Sequence, residues 1–218
     1  MRSAARVLGT LVLLGLLVMP RDAVSEDYTI DLRSAHVGNL PDGFVPALTG
    51  RGGPTLWTVQ NDPTAPGGKV LAQTSAEPTD YRFPLLIDRN LSAKNLVLTV
   101  RFKPVSGRVD RAAGLVARLK DKDNYYVVRA NALEDNVRLY KVVKGERRQF
   151  AGADVKVVSG QWQELGLKLE GNHFEISLNG RAIFTARDDT FADPGSIGLW
   201  TKADSVTYFT DLSARILP

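Results

Sequence analysis

The chain has 218 residues, 44% of them hydrophobic and 24% charged, which is the composition of a globular protein with a sizeable core and excludes a disordered chain. It contains no cysteine, which excludes a disulfide framework, a lipid-modified cysteine and a thiol nucleophile. The formal net charge of +4 falls to +2 without the first 25 residues, because these contain three arginines and one aspartate, and so small an excess does not imply a nucleic-acid ligand.

The N-terminal segment has the pattern of a secretory signal. Two arginines precede an apolar run over residues 7–19, and a small-residue site follows at 23–25. This pattern predicts a signal peptide over residues 1–25, cleaved after Ser25. A membrane anchor is the alternative, but the run is shorter than the roughly 20 residues that span a bilayer. We therefore expect one exported domain, residues 26–218, periplasmic or extracellular, with no stable membrane insertion after cleavage.

Beyond this segment, apolar residues recur with a period of two, which places successive side chains on opposite faces of strands. In NLVLTVRFK, residues 95–103, Leu96, Leu98, Val100 and Phe102 are predicted to face one way, and Val97, Thr99, Arg101 and Lys103 the other. The predicted strands, in chain order, are 28–32, 55–60, 69–74, 81–87, 96–103, 112–119, 124–131, 137–143, 162–170, 173–178, 181–186, 195–201 and 205–216. Residues 38–68 are rich in glycine and proline and are predicted to form loops along one edge.

Turn residues separate these runs. Polar turns are predicted at 121–124 and 134–136, and Asn179-Gly180 is the strongest signal because a two-residue primed turn requires positive φ at both positions. About a dozen short strands without crossover helices predict an all-β protein, either an antiparallel two-sheet sandwich or a barrel.

Three segments carry a family resemblance: DNYYVVRANALEDNVRLYKVVKG, GQWQELGLKLEGNHFEISLNGRAIF and GSIGLWTKADSVTYFTDLSARI. They resemble concanavalin A-like jelly rolls of the laminin-G-like and 3-keto-disaccharide hydrolase-like type, over residues 81–217. The resemblance implies two stacked, curved antiparallel sheets with a glycan ligand on the concave one. Because these motifs are mostly strand and turn patterns, they identify the superfamily better than any activity.

The sequence offers little for catalysis. Glycosidases use two carboxylates roughly 5 to 10 Å apart, which a strand supplies most simply as acidic residues at i and i+2, and no predicted strand has this pattern. Asp121 and Asp123 have the spacing but lie in a turn, where such residues cap backbone amides. Glu164 and Glu175 lie on predicted strands, and the surrounding pattern indicates that they are surface charges. With two histidines and no cysteine, a catalytic triad and a zinc site are both improbable.

The loop RDDTFADPG brings Asp188, Asp189 and Asp193 together in sequence. Carboxylate oxygens suit calcium, so a calcium site here is an alternative to the expectation of no cofactor.

The hairpin at residues 123–143 indicates a ligand face. Tyr126, Val128 and Ala130 form its apolar set, so their neighbours point outward, and the same parity gives an outward arginine on each of four successive strands. Like charges on adjacent strands repel unless an anionic group lies between them. Tyrosine rings suit the apolar faces of sugars, while arginine and asparagine donate paired hydrogen bonds. The predicted ligand-binding face consists of Arg101, Arg118, Tyr125, Arg129, Asn131, Arg138, Tyr140, Trp200 and Lys202.

These patterns favour an exported carbohydrate-binding protein, with an anionic sugar preferred. The first alternative is a glycoside hydrolase of the 3-keto-disaccharide hydrolase-like type, and the second is an envelope or matrix protein that makes only protein contacts. The face could also be a solvated surface whose arginines pair with loop carboxylates. Parity further predicts that Arg129→Ala weakens binding without loss of stability, whereas Tyr126→Ala destabilises the core.

Overall fold

The computed structural model describes residues 27–218, so the predicted signal peptide lies outside the described residues. Within that range the regular secondary structure is almost entirely antiparallel strand, and none of the helices could cross a bilayer. The strands are β1 (Asp27–Thr29), β2 (Phe44–Gly50), β3 (Trp57–Asn61), β4 (Lys69–Gln73), β5 (Arg82–Ala93), β6 (Leu96–Ser106), β7 (Ala112–Asp121), β8 (Asn124–Asn131), β9 (Asn136–Val143), β10 (Glu146–Asp154), β11 (Gln163–Glu170), β12 (His173–Leu178), β13 (Arg181–Arg187), β14 (Gly195–Trp200) and β15 (Val206–Ile216).

These strands form two sheets that stack face to face. Sheet A has the order β13-β12-β11-β6-β15-β4-β3, with β1 paired to the far end of β15, and sheet B has the order β10-β9-β8-β7-β14-β5-β2. The prediction of an antiparallel two-sheet sandwich is confirmed, and the barrel alternative is not realised.

The core between the sheets follows the predicted alternation. Leu96, Leu98 and Val100 of β6 are fully buried against Tyr126 and Val128 of β8, each at 0% exposure. Alternate residues on these strands point away from this core, because successive side chains of a strand lie on opposite faces. The parity predicted for the hairpin at 123–143 is therefore the parity of the structure.

The strongest predicted turn is also observed. Asn179 and Gly180 have φ values of 51° and 73° between β12 and β13, as a primed turn requires. In the turn between β7 and β8, the Asp121 carboxylate accepts the Asp123 backbone N–H at 2.7 Å, which is the capping role predicted for it.

Two strands are absent from the sequence-based prediction. β2 lies within residues 38–68, which were predicted to be loops, and β10 lies in a segment predicted to have no strand. Both are the outermost strands of sheet B. An outermost strand is covered less completely than a central one, so its sequence alternates weakly.

The connection between β6 and β7 carries the chain from sheet A to sheet B. The Asp204 carboxylate holds it by accepting the backbone N–H groups of Arg108, Val109 and Asp110 at 2.6 to 3.2 Å. As a result, β6 and β7 are neighbours in sequence but belong to opposite layers.

Sheet B curls strongly about its outer face. Three strands separate β8 from β2, which corresponds to about 19 Å in a flat sheet, yet the Tyr125 hydroxyl lies 2.8 Å from Thr49 Oγ1. The Tyr81 hydroxyl, just before β5, likewise donates to the Gly145 carbonyl at 3.2 Å and accepts the Arg147 N–H at 3.1 Å. The outer face of sheet B is thus concave, and we call it the concave face.

Candidate functional site

The concave face carries its own apolar cluster, separate from the core between the sheets. Trp200 and Phe83 stack at its centre with ring centroids 5.4 Å apart, and both are fully buried. Its buried members are Phe83, Leu85, Ile87, Ala112, Val116, Leu119, Tyr125, Val127, Tyr140, Val142 and Trp200. We call the three rings of Phe83, Tyr140 and Trp200 the aromatic basin.

Arg147 covers the aromatic basin. Its guanidinium carbon lies 4.4 Å from the ring centre of Tyr140, 4.7 Å from that of Phe83 and 5.7 Å from that of Trp200. A cation over a ring face is attracted to the ring's negative quadrupole. Among the residues that the structure describes, no carboxylate lies within 4 Å of this guanidinium. Arg147 is therefore a half-buried cation held by aromatic rings.

Arg129 lies on the other side of Tyr140 from the β10 strand, with its guanidinium carbon 5.7 Å from the ring centre. It is only 2% exposed. Its Nη2 donates to Glu134 Oε2 at 2.8 Å and to Asn136 Oδ1 at 2.5 Å. Arg129 is thus locked in place by its own neighbours.

A lysine with two carboxylates forms one end of the concave face. Lys202 Nζ lies 2.6 Å from Asp80 Oδ1 and 3.0 Å from Asp110 Oδ2. Asp110 is buried, and its Oδ1 accepts Asn131 Nδ2 at 2.9 Å. Burial raises the pKa of Asp110, whereas the hydrogen bond from Lys202 lowers the pKa of Asp80. The two carboxyls share one ammonium but have pKa values shifted in opposite directions.

Buried donors without acceptors surround the aromatic basin. Within residues 27–218, Arg129 Nε and Arg147 Nη1 are buried and have no hydrogen-bond partner. An unpaired buried donor costs about 1 to 3 kcal/mol, so most such groups find an acceptor. The surplus of donors makes this part of the face chemically suited to an oxygen-rich ligand.

Most of the residues predicted from sequence share this face. They are Tyr125, Arg129, Asn131, Arg138, Tyr140, Trp200 and Lys202. The expectation that they would be exposed is wrong for five of them, because Tyr125, Asn131 and Trp200 are 0% exposed, Arg129 is 2% exposed and Tyr140 is 7% exposed. The curl of sheet B explains the difference, because it folds the concave face over on itself, which alternation within single strands cannot reveal.

Arg101 does not belong to the face. It lies on β6 in sheet A, opposite Glu164 of β11, because the chain changes sheet between β6 and β7. The assumption that four successive strands are neighbours in one sheet is wrong at this step.

Arg118 also points elsewhere. A bulge interrupts the pairing of β7 after Ala117, and Arg118 has a φ of 48°. Such a bulge inserts a residue and re-aims the side chain. Its guanidinium donates to the carbonyls of Lys94, Phe191 and Gly171 at 2.6 to 2.8 Å and is buried. Arg118 thus ties together three loops at one end of the sandwich.

The sequence analysis did not identify Phe83, Asp80, Asp110, Glu134 or Arg147. Arg147 was missed because its strand was not predicted. The acidic residues lie in or beside loops, and only the fold brings them to the concave face.

The aspartates proposed for calcium interact with different partners. Asp188 accepts the Tyr126 hydroxyl and the Lys141 ammonium, each near 2.7 Å, while Asp193 faces Lys120 at 3.5 Å. In the described part of the chain, no three His, Cys, Asp or Glu residues are placed to hold a metal ion.

The comparisons with known proteins concern the fold. No model of a protein family matches the sequence, and no curated protein matches it. Several solved structures are similar. The carbohydrate-binding module CBM66 from Bacillus subtilis is 20% identical, with a TM-score of 0.63 over 78% of this chain and 93% of that one.

Two more structures are similar over most of the chain. A Bacillus subtilis protein of unknown function with a galectin-like fold is 13% identical, with a TM-score of 0.61 over 89% of this chain and all of that one. Domain 4 of AbnA, a GH43 extracellular arabinanase from Geobacillus stearothermophilus in complex with arabinotriose, is 14% identical, with a TM-score of 0.59 over 88% and 93%. At these identities the likeness is one of fold, that of an antiparallel two-sheet β-sandwich consistent with a jelly roll.

Proposed function

We propose that this protein binds a carbohydrate on the concave face and that an anionic glycan is its preferred ligand. The observation that carries the proposal is the set of buried donors without acceptors beside the aromatic basin. Glycan sites combine ring faces, on which sugars stack, with a few fixed polar groups that orient the hydroxyls. The concave face holds both.

The structural neighbours support a carbohydrate ligand at the level of fold. One is a carbohydrate-binding module, and another is a domain in complex with arabinotriose. Export by the predicted signal peptide would place the protein where glycans occur. Both points support glycan binding in general, and the residues named above support it at the concave face of this chain.

The way in which charges pair on this face favours an anionic ligand at one position. Arg129 and Arg138 pair with Glu134 and Asp154, as the solvated-surface alternative anticipated. Of the three arginines of this face, Arg129, Arg138 and Arg147, only Arg147 has no carboxylate within 4 Å in the described part of the chain. A carboxylate or sulfate on a sugar would supply the missing partner through a charge-assisted hydrogen bond.

Two matched arginine variants test the location. Arg138 lies on the concave face and Arg101 on the opposite side of the sandwich, and both are partly exposed. The purified protein should bind members of an array of neutral and acidic oligosaccharides. Arg138→Ala should weaken binding roughly tenfold, because it removes a charged donor, and Arg101→Ala should leave it unchanged. Equal effects of the two variants would contradict the assignment.

Glycoside hydrolysis is the second candidate, favoured by the pair Asp80 and Asp110. Paired carboxyls with pKa values displaced in opposite directions are typical of acid and base roles. Binding ranks first because Asp110 is only 1% exposed and the Lys202 ammonium occupies the space between the two carboxyls. Release of reducing sugar that is lost in Asp80→Asn would reverse this order. Binding of no glycan at all would favour the third role, in protein contacts only.

A further inference from the structure

Arg147 occupies the surface on which a sugar ring would stack. Its guanidinium lies 4.4 to 5.7 Å from the centres of all three rings of the aromatic basin. A planar cation in that position keeps the ring faces out of water. A ligand that stacks on Tyr140 or Phe83 must therefore displace it.

The Arg147 side chain is the one on this face best placed to move. It extends from β10, the outermost strand of sheet B, and its backbone N–H is held by Tyr81 while its side chain has no ion pair. Arg129, in contrast, is buried and bound to Glu134 and Asn136. The Arg138 guanidinium is bound to Asp154 at 2.5 Å.

We propose that Arg147 is the specificity-determining residue of the glycan site. In the free protein its guanidinium covers the aromatic basin. In the complex the guanidinium moves off the rings, the sugar stacks on them, and the guanidinium pairs with the ligand's carboxylate. This inference rests on the proposed function and adds to it the residue that selects acidic over neutral sugars.

The selectivity depends on the interactions that each ligand offers to the displaced arginine. A neutral sugar takes the ring faces and offers only hydroxyls, so the guanidinium loses its aromatic contacts without gaining a counter-charge. An acidic sugar replaces those contacts with a charge-assisted, bidentate pair, which the fork of arginine matches in geometry. The preference for acid should therefore reside in this one side chain.

The test compares two ligands that differ only in charge: an acidic hexuronic oligosaccharide and the same oligosaccharide with each carboxyl reduced to an alcohol. The full-length protein should bind the acidic form at least tenfold more tightly. Arg147→Ala should lose that preference, binding the acidic form more weakly and the reduced form as well as before or better, because the rings are uncovered.

Arg148→Ala is the matched control, since Arg148 is the next residue of β10, points to the opposite face and pairs with Glu146. It should keep the preference of the parent. Arg147→Gln, which keeps a planar polar group over the rings, replaces Arg147→Ala if the latter fails to fold in a thermal unfolding assay.

The outcomes separate the two proposals. Binding of neither ligand by the parent protein overturns the proposed function and this inference with it. Equal binding of both ligands by the parent leaves carbohydrate binding standing, but it overturns the preference for an anionic glycan and with it the role of Arg147. A preference that persists in Arg147→Ala and Arg147→Gln also overturns it.

Discussion

The guanidinium of Arg147 lies over the ring of Tyr140, with its central carbon 4.4 Å from the ring centre. Arg147 comes from β10 and Tyr140 from β9, and the same guanidinium reaches Phe83 of β5, four strands further across sheet B. This contact is possible because the sheet curls. The curl turns a face that single strands would present to solvent into a closed, aromatic interior capped by a cation.

The hydrogen bonds from Arg118 to three loops predict a structural role for this residue. Arg118→Ala should lower the free energy of unfolding by roughly 3 kcal/mol, because three carbonyls lose the charged donor that a buried arginine supplies. Urea denaturation of the variant against Arg101→Ala, which removes a partly exposed arginine of sheet A, measures the difference. If Arg118→Ala unfolds at the same urea midpoint as the parent, these hydrogen bonds contribute nothing to the free energy of unfolding.

Arg129→Ala should also destabilise the protein, in contrast to the expectation from parity alone. Arg129 is 2% exposed, and its removal leaves the buried Asn136 Oδ1 without its donor. The cost should be about 1 to 3 kcal/mol by urea denaturation. An unchanged stability would restore the interpretation of Arg129 as a solvent-facing ligand contact.

Some features of this structure are predictable from the sequence and others are not. The inward positions Tyr126, Val128 and Ala130 are predictable because alternation on a strand depends only on neighbouring residues. Arg118 departs from that alternation because of a bulge, at which Gly195 packs so closely that a Cβ there would lie 2.5 Å from the Arg118 carbonyl carbon. Nothing in the local pattern indicates such an inserted residue.

The remaining differences depend on contacts between distant segments. Asp80, Asp110 and Lys202 are joined only after the chain has changed sheet, and Arg147 meets Phe83 only because sheet B curls. The sequence therefore predicts the fold class, the hairpins and much of the concave face. It does not predict which residues of that face are buried, because their burial depends on the curl of the whole sheet.

Tyr126 tests the core parity with two substitutions. Its ring packs edge-on against Phe174 and Phe191 at 4.9 and 5.0 Å, and its hydroxyl donates to Asp188 at 2.7 Å. Tyr126→Ala should cost about 3 to 5 kcal/mol of unfolding free energy, and Tyr126→Phe, which keeps the ring, about 1 kcal/mol. Similar costs for the two variants would mean that the ring contributes no packing.

Asp188 predicts an acid-sensitive component of stability. Although partial burial opposes it, hydrogen bonds from Lys141, Thr190 and Tyr126 lower the pKa of Asp188 to about 2 from an ordinary value of 3.8. A carboxyl with a depressed folded-state pKa stabilises the fold above its unfolded-state pKa, and that contribution disappears as the pH falls from about 3.8 through about 2.

Urea midpoints measured across this pH range provide the check. Asp188→Asn should be less stable than the parent near neutral pH, and the difference should narrow as the pH falls through the range. Asp193→Asn is the control from the same loop, because its carboxylate is 82% exposed. A constant difference between Asp188→Asn and the parent at all pH values would contradict the assigned ion pair.

The central claim is that the concave face of sheet B holds a glycan, and a crystal structure of the protein grown with an acidic oligosaccharide tests it most directly. The account predicts a sugar ring stacked on Tyr140 or Phe83, the Arg147 guanidinium displaced from the aromatic basin, and the ligand's carboxylate paired with it. An oligosaccharide bound on sheet A, or one bound while Arg147 keeps its position 4.4 Å from the Tyr140 ring, would contradict it.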